Sequence, residues 1–466
     1  MKTYKALRFD LVLIGLFVAL SWPLVSLAQD PRPNFIVILT DDQRMDALGA
    51  NGNDYIMTPS LDKLAGQSLV FNQANVVFSL CSPSRAALLT GRYGSANGVL
   101  KLGSGLKENE KSLAQYLKDE GYNTGFAGKW HLSQTPHELG FDEAVYFEGN
   151  GAYYNREIFE ANKVSRPAQH CDEYCVDWSI DYLENIVSQA SPFFLLHCTQ
   201  LPHMNGKLVW NAQLSTLLKY EDKKIPVPES RGEDLSNKPP YLKQVRNLTK
   251  AKDYGYPALD AIEKHIKQYY AVITEMDDAL GRLIKKVEDL GLMNNTYIIF
   301  MSDNGWMLGE HGFTSKVLPY RPSTTIPFFI KGPGVTSFSR EELVLNIDIA
   351  PTVLDLAGVE IPRDMHGESL KELLKPGNND WRKEFVYEGL GGYGGADQNL
   401  TVFDGRYRYI QTFSDSSLSE LVFEELYDNL LDPDEMINMV KGNDQKNRIE
   451  DFKKVIQNHK KEILKQ

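Results

Sequence analysis

Several side chains in this sequence are of types that handle hard metal ions and small anions. Asp41, Asp42, Asp303 and Asn304 are hard oxygen donors. Gathered together they would suit Ca²⁺ or Mg²⁺ rather than a soft metal. Arg85, Lys129, His131, His203 and Lys316, with His311 as a further candidate, could form a cradle for a tetrahedral oxyanion and stabilise its transfer. Cys81 opens the stretch "CSPSRAALLTGR" with no cysteine near it in sequence. A thiol at a turn leading into a helix sits where N-terminal amides favour anions and thiolates. Taken singly, each of these residues has an ordinary reading: "SDNG" is a good turn, a lone lysine is a surface charge, a lone histidine is a satisfied one.

The elements around them make the grouping more than coincidence. "NFIVILT" (34–40), "NTGFAGKWHL", "PFFLLHCTQLPH" and "NTYIIFMSDNG" read as buried apolar strands. "SLDKLAGQSLVF", "KSLAQYLKDEGY" and the long "AIEKHIKQYYAVITEMDDALGRLIKKVEDLGL" read as helices. "TTIPFFIKGPG" reads as strand and turn, and "NIDIAPTVLDLAG" as loop and helix. Strands alternating with helices predict an α/β fold with a central, mostly parallel sheet between helices. In such sheets the site lies just past the carboxyl ends of the strands. Asp41–Asp42, His131, His203 and Asp303–Asn304 all fall at such ends. After about residue 365 the texture changes to "EFVYEG", "NLTVFDGRYRYIQTF" and "ELVFEELYDN". These predict a smaller C-terminal antiparallel sheet with a charged terminal helix.

Composition sets outer limits. The chain has 466 residues, 42% hydrophobic and 24% charged, enough for a large core. Its net charge of −12 argues against a nucleic-acid partner, which needs basic patches. The N-terminus carries Lys2, Lys5 and Arg8, then "LVLIGLFVAL", then "SLAQD". That order predicts a signal peptide over residues 1–28, of bacterial type, with export to the periplasm or beyond and no stable membrane insertion after cleavage. The remaining units are then 29–365 and 366–466. Export permits a Cys171–Cys175 disulfide, and two free thiols are equally compatible. A zinc site at His170, Cys171 and Cys175 lacks a second ligand pair. Cys198 reads as a buried core thiol. Asn247, Asn294 and Asn399 begin Asn-x-Thr triplets that would matter only in a eukaryotic secretory route.

"CSPSRAALLTGR" resembles the signature of type I sulfatases, Cys-x-Pro-x-Arg followed by Thr-Gly-Arg. "NFIVILTDDQ", "MTPSLDKLA", "GYNTGFAGKWHL", "LPH", "YIIFMSDNGWMLGEHG", "IDIAPTVLDLAG" and "ELYDNLLDPDEMINMV" resemble further blocks of that family, in its order. The resemblance covers roughly residues 32–440. It implies an alkaline-phosphatase-like α/β sandwich and a sulfuric ester hydrolase. It implies that a maturation enzyme converts Cys81 to formylglycine (3-oxoalanine), whose hydrate attacks sulfur and is then released from the covalent sulfoenzyme by its second hydroxyl. Asp41, Asp42, Asp303 and Asn304 would bind Ca²⁺, with Mg²⁺ as the alternative, together with modified Cys81. Arg85 and Lys129 would steady the hydrate and the sulfate. His131 would take a proton as the intermediate collapses. His203 and Lys316 would grip the sulfate, and one of them would protonate the leaving alcohol.

The chain departs from the family pattern at "FTSKVLPYRPSTTIP", with Arg321 and Pro322 where acidic residues are common, and at Ser133, where glycine is frequent. "GGADQNLTVFDGRYRY" lacks an arginine often seen there. These changes bear on the substrate. "GNGAYYNREIF" (149–159) resembles a block of sulfatases acting on sulfated sugars, including N-acetylglucosamine-6-sulfatase-like members. Tyr146, Tyr153, Tyr154 and Phe159 could stack on a sugar ring, and the glycine-rich loop 391–395 could close over it. The expected substrate is a sulfated carbohydrate, met at oligosaccharide ends or as a single sulfate ester. The rivals are a phosphate or phosphonate monoester hydrolase on the same fold and a non-catalytic glycan-binding relative.

Overall fold

Phe35, Val37 and Leu39 lie on one side of their strand and Ile36 and Ile38 on the other, as the two-residue pleat requires. All five are buried, so this strand is covered on both faces. The computed structural model describes residues 30–161, 163–189, 191–377 and 380–465. The leader assigned to residues 1–28 lies outside the described residues.

The strand Asn34–Asp41 sits inside a ten-stranded sheet. Across the sheet the order is Phe338–Leu345, Leu69–Asn75, Phe328–Lys331, Thr296–Ser302, Asn34–Asp41, Phe193–Pro202, Asn123–Trp130, Glu143–Glu148, Ile158–Glu160 and Lys163–Ser165. The five strands from Thr296–Ser302 to Glu143–Glu148 are parallel neighbours. Phe328–Lys331 pairs antiparallel to both of its neighbours, and the two short strands at the far edge are antiparallel too.

One face is covered by the helices Pro59–Ala65, Cys171–Ile186 and Leu259–Asp289. The other is covered by Cys81–Thr90, Leu113–Asp119 and Ile349–Ala357. Ser112 caps the Leu113 helix in a capping box with Gln115. Among the described residues no helix is long and apolar enough to cross a membrane.

A second sheet of four strands is an antiparallel meander: Phe385–Gly389, Gln398–Phe403, Tyr407–Phe413 and Leu421–Asp428. The terminal helix Lys446–His459 buries Ile449, Phe452 and Ile456 against Leu400, Val402 and Leu426. The opposite side of this sheet offers Tyr387, Ile410 and Tyr427 to Phe313, Leu318 and Tyr320. It therefore backs the segment that carries Lys316.

One local reading is corrected and two open ones are decided. The helix in "SLDKLAGQSLVF" stops at Ala65, and Leu69–Asn75 is a strand. Its apolar residues fit either period, and pairing with Phe338–Leu345 decides between them. All four cysteines are free and buried, so there is no Cys171–Cys175 disulfide. The two thiols lie one turn apart in a single helix and pack with Ala127, Val145 and Phe147. Asn247 and Asn399 are buried and cannot carry glycans.

Candidate active site

Four adjacent parallel strands end on one edge of the sheet, and each delivers part of the site. Asn34–Asp41 brings Asp41 and Asp42, and Thr296–Ser302 brings Asp303 and Asn304. Asn123–Trp130 brings Lys129 and His131, and Phe193–Pro202 brings His203. Strands stacked about 4.8 Å apart put these side chains within a few ångströms of one another. Asp42 has φ 67°, a left-handed conformation unusual for a residue with a side chain. It is held there by its own N–H on Asp303 Oδ1 (3.1 Å) and by the Tyr269 hydroxyl, which donates to its carbonyl (2.7 Å).

Gly128 explains the glycine inside "FAGKW". It has φ 108° in mid-strand, and a Cβ there would overlap the Cys198 carbonyl on the next strand. The close backbone approach brings Lys129 in beside Asp41.

Cys81 is the first residue of the helix Cys81–Thr90. Pro83 lies in the first turn, where no N–H is needed for the helix ladder. The Cys81 Sγ is surrounded by Lys316 Nζ (2.7 Å), Asp41 Oδ1 (3.5 Å) and Lys129 Nζ (3.6 Å). Lys129 Nζ also pairs with Asp41 and donates to Asn150 Oδ1 (2.6 Å), and Lys316 Nζ pairs with Asp42. Arg85, one turn into the helix, bonds Asp303 Oδ2 through Nε (3.0 Å) and donates to the Lys129 carbonyl (2.9 Å). His203 Nε2 lies 3.6 Å from Asp42 Oδ2, and its Nδ1 faces the Met204 carbonyl (2.6 Å).

The electrostatics follow from burial. Burial alone would raise Asp41, but the charges of Lys129, Lys316 and Arg85 outweigh it and hold this carboxyl well below the usual range. Burial, with Asp41 nearby, lifts Asp42 to about 6 despite Lys316. Burial, followed by the Asp41 charge, pushes the Cys81 thiol up to about 12. An unmodified Cys81 is thus a protonated thiol, the reverse of the activated thiolate that its helix-start position suggests. Burial lowers His203 to about 3, and burial together with Lys129 and Arg85 lowers His131 to about 2, so both rings are neutral.

The site can be tested for a hard metal on its own donors. Asp41, Asp42 and His203 form one group of ligand atoms within 4.8 Å, and Asp41, Cys81 and Asp303 form another. Asp42 Oδ2 and Asn304 Oδ1 are buried acceptors with no hydrogen-bond partner, which is costly unless a cation takes them up. Three carboxylates and an amide oxygen fit Ca²⁺ or Mg²⁺. The described residues show no comparable group at His170, Cys171 and Cys175.

The structure thus brings together Asp41, Asp42, Cys81, Arg85, Lys129, His203, Asp303, Asn304 and Lys316. His131 lies beside them, lining a small space with Arg85 and Lys129. His311 is not part of the group; it pairs with Glu233 and packs on Tyr320. The aromatics of 146–159 do not face the Cys81 cleft. Tyr153 is buried and donates to the His203 carbonyl (2.7 Å), Tyr146 stacks on Phe159, and Tyr154 meets His170. The cleft aromatics are Tyr254, Trp306 and Tyr393.

Sequence reasoning missed Asn150, the Lys129 partner. It also missed Ser82, whose hydroxyl donates to the His131 carbonyl (2.5 Å). Asp172 was missed too: it accepts from the N–H groups of Gln200 and Leu201 (2.7 and 2.9 Å) and so fixes the approach to His203. Asn150 stands just past a strand end in "EGNG", which was a usable signal; Asp172 lies mid-sequence in a helix and gave none.

A family model described as Sulfatase matches residues 33–359. The chain belongs to the sulfatase family. It is an enzyme that hydrolyses sulfate esters. A second model, N-sulphoglucosamine sulphohydrolase, C-terminal, matches residues 309–462 of this sulfatase. The chain is 28% identical over 414 residues to N-acetylglucosamine-6-O-sulfatase of Bacteroides thetaiotaomicron, covering 76% of this chain and 74% of that one. It superposes with a TM-score of 0.84 on a protein solved in complex with its substrate D-glucosamine-2-N,6-O-disulfate, at 24% identity over 92% of this chain and 98% of the other. It superposes with a TM-score of 0.76 on a phosphonate monoester hydrolase from Silicibacter pomeroyi, at 22% identity over 93% and 96%.

Proposed function

We propose that this sulfatase removes sulfate from a sulfated carbohydrate with a formylglycine formed from Cys81 and a Ca²⁺ held by Asp41, Asp42, Asp303 and Asn304. The observation that carries the reading is the seat of Cys81: a fully buried side chain at a helix start, met by two lysines and a carboxylate, whose thiol is itself unreactive. When formed, formylglycine supplies a geminal diol, with one hydroxyl to attack sulfur and one to expel sulfate afterwards. When bound, the metal supplies a Lewis acid for the sulfuryl oxygens.

The chain's own residues provide the rest. Asp41, Asp42 and Asp303 balance Lys129, Lys316 and Arg85 in charge, so a divalent cation leaves the site two charges positive. That excess suits an anionic ester. Lys129 and Lys316 lie within 3.6 and 2.7 Å of Sγ and place charge where the transferred group develops it. Arg85 bridges Asp303 and the Lys129 backbone and keeps the cradle from spreading. His131, neutral, is the base for the second hydroxyl. His203, on the cleft wall, faces the departing oxygen.

His203 is neutral in the empty site, so to act as the acid it must take up a proton at Nε2 when the anionic ester binds; if it then delivers that proton to the departing oxygen, its loss must harm poor leaving groups most. His203→Gln is expected to lose more than about 10²-fold on a sugar sulfate and less than about 10-fold on 4-nitrophenyl sulfate. Equal losses on both would move the proton to Lys316.

Residues 1–28 are proposed to direct export, residues 29–365 to form the catalytic unit and 366–466 the C-terminal unit. A specific maturation enzyme is required. The direct test is the mass of the tryptic peptide 64–85 after thiol alkylation, from protein made in its native host. A lighter, non-alkylated peptide that reacts with an aldehyde probe supports the reading; an alkylated cysteine overturns it. The fold likeness to a phosphonate monoester hydrolase supports a second reading on the same cradle. Faster turnover of an aryl phosphonate than of the matching aryl sulfate would select it.

A further inference from the structure

The cleft above Cys81 is lined by basic residues and no carboxylate, in a chain whose net charge is −12. Its basic side chains are a neutral His203 and the cations Lys316, Arg246 and Lys250. The first two are accounted for by the sulfate that is cleaved. The other two are not.

Arg246 and Lys250 come from the helix Arg246–Asp253 and stand one turn apart on one stripe of it. The neighbouring stripe, Asn247 and Ala251, is buried. Asn247 Nδ2 donates to both the Thr314 and the Lys316 carbonyls, each at 2.8 Å. The helix is thereby pinned to the segment that carries Lys316, with Arg246 and Lys250 left to face the cleft. On the other side lies the loop 391–395. Gly394 has φ +67°, and a Cβ there would come within 3.1 Å of the Arg246 Cβ. Tyr393 of this loop lines the cleft with Tyr254 and Trp306. The cavity itself is small, about 60 Å³, and opens to solvent, so a saccharide would lie in its mouth.

Lys250 has an exposed ion pair with Asp253 at 3.0 Å, a contact that contributes little. Arg246 has no carboxylate partner among the described residues. A half-exposed guanidinium without a partner, on the wall of an anion-handling cleft, offers a planar fork to a sulfate or a carboxylate.

We propose that Arg246, assisted by Lys250, binds a second anionic group of the substrate, so that the preferred substrate carries two negative charges on the same or adjoining sugar rings. The inference rests on the sulfatase reading of the cleft and names its substrate class: a saccharide with the scissile sulfate plus a second sulfate or a carboxylate. The aromatics hold the ring between the two anions.

The test is equilibrium binding, so that it does not depend on turnover. Cys81→Ala protein is titrated by calorimetry at fixed salt with glucosamine 6-sulfate, with D-glucosamine-2-N,6-O-disulfate and with a 6-sulfated glucosamine linked to a uronate. At least one doubly charged ligand is expected to bind tenfold or more tighter than the singly charged one, and which one does so separates sulfate from carboxylate. Arg246→Gln in the same background is expected to cut that preference to about twofold, and Arg246→Lys to restore part of it. No preference in the parent protein, or a preference that survives Arg246→Gln, overturns the inference. Hydrolysis of 4-nitrophenyl sulfate by the unaltered protein tests the sulfatase mechanism separately. Turnover without a charge preference defeats this inference alone. Charge-selective binding without turnover defeats the mechanism alone.

Discussion

Replacing Cys81 with alanine is expected to lower sulfate ester turnover by at least about 10⁴-fold while changing stability by no more than about 1 kcal/mol. The side chain is buried, yet its neighbours are polar and already paired: Lys129 with Asp41 and Asn150, Lys316 with Asp42. Removing one sulfur leaves no unpaired charge behind. The loss therefore falls on the transition state and not on the fold. Cys81→Ser sharpens the test. A serine has one hydroxyl to accept the sulfuryl group and none to expel it. Mass spectrometry is expected to find the serine protein carrying one sulfuryl group with no further turnover. If the alanine protein keeps more than a hundredth of the activity, Cys81 is not the seat of the nucleophile.

Stripping divalent cations is the second large effect. Exhaustive dialysis against a chelator is expected to reduce activity by more than about 10²-fold, with Ca²⁺ restoring it and Zn²⁺ not. The melting temperature is expected to fall at the same time and to recover with Ca²⁺, because an ion bound only by the folded state stabilises it. The physical source is the set Asp41, Asp42 and Asp303, whose oxygens are gathered at the ends of two neighbouring strands. Burial, with the neighbouring Asp41 charge adding to it, pushes Asp303 up and lifts Asp42 to about 6, so a cation among them would relieve a cost the folded site carries. Asp303→Ala is expected to remove the Ca²⁺ response in both activity and melting. Full activity and an unchanged melting curve in chelator would end the metal assignment.

The path from Asn247 to the cleft shows how a residue can be misread in one dimension. In sequence it opens an Asn-x-Thr triplet; in the fold its amide ties a helix to the Lys316 backbone. The aromatic block 146–159 was misread in the same way. Its aromatics, in a stretch resembling a block of sugar sulfatases, suggested a sugar platform, but Tyr153 turns inward to hold the His203 carbonyl. Loop aromatics are placed by what they pack against, and that information is not local.

The sequence alone determined the α/β architecture, because buried parallel strands must be continuous apolar runs and their covering helices must be amphipathic. It determined the polar residues at the strand ends, since nothing in a buried strand tolerates Asp41–Asp42 or Asp303–Asn304 except its mouth. It determined the family, through "CSPSRAALLTGR" and the blocks around it. Tertiary structure alone decided that four adjacent strands bring these ends to one edge, that His311 turns away to Glu233, and that the Cys171 and Cys175 thiols stay apart along one helix. It also decided that Asn150, Ser82 and Asp172 support the site and that Arg246 and Lys250 overlook it. The division has one physical cause. Periodicity and turn chemistry are written in neighbouring residues, whereas the partner of a buried charge is chosen by pairings between distant segments, such as Asp41 with Lys316, 275 residues apart.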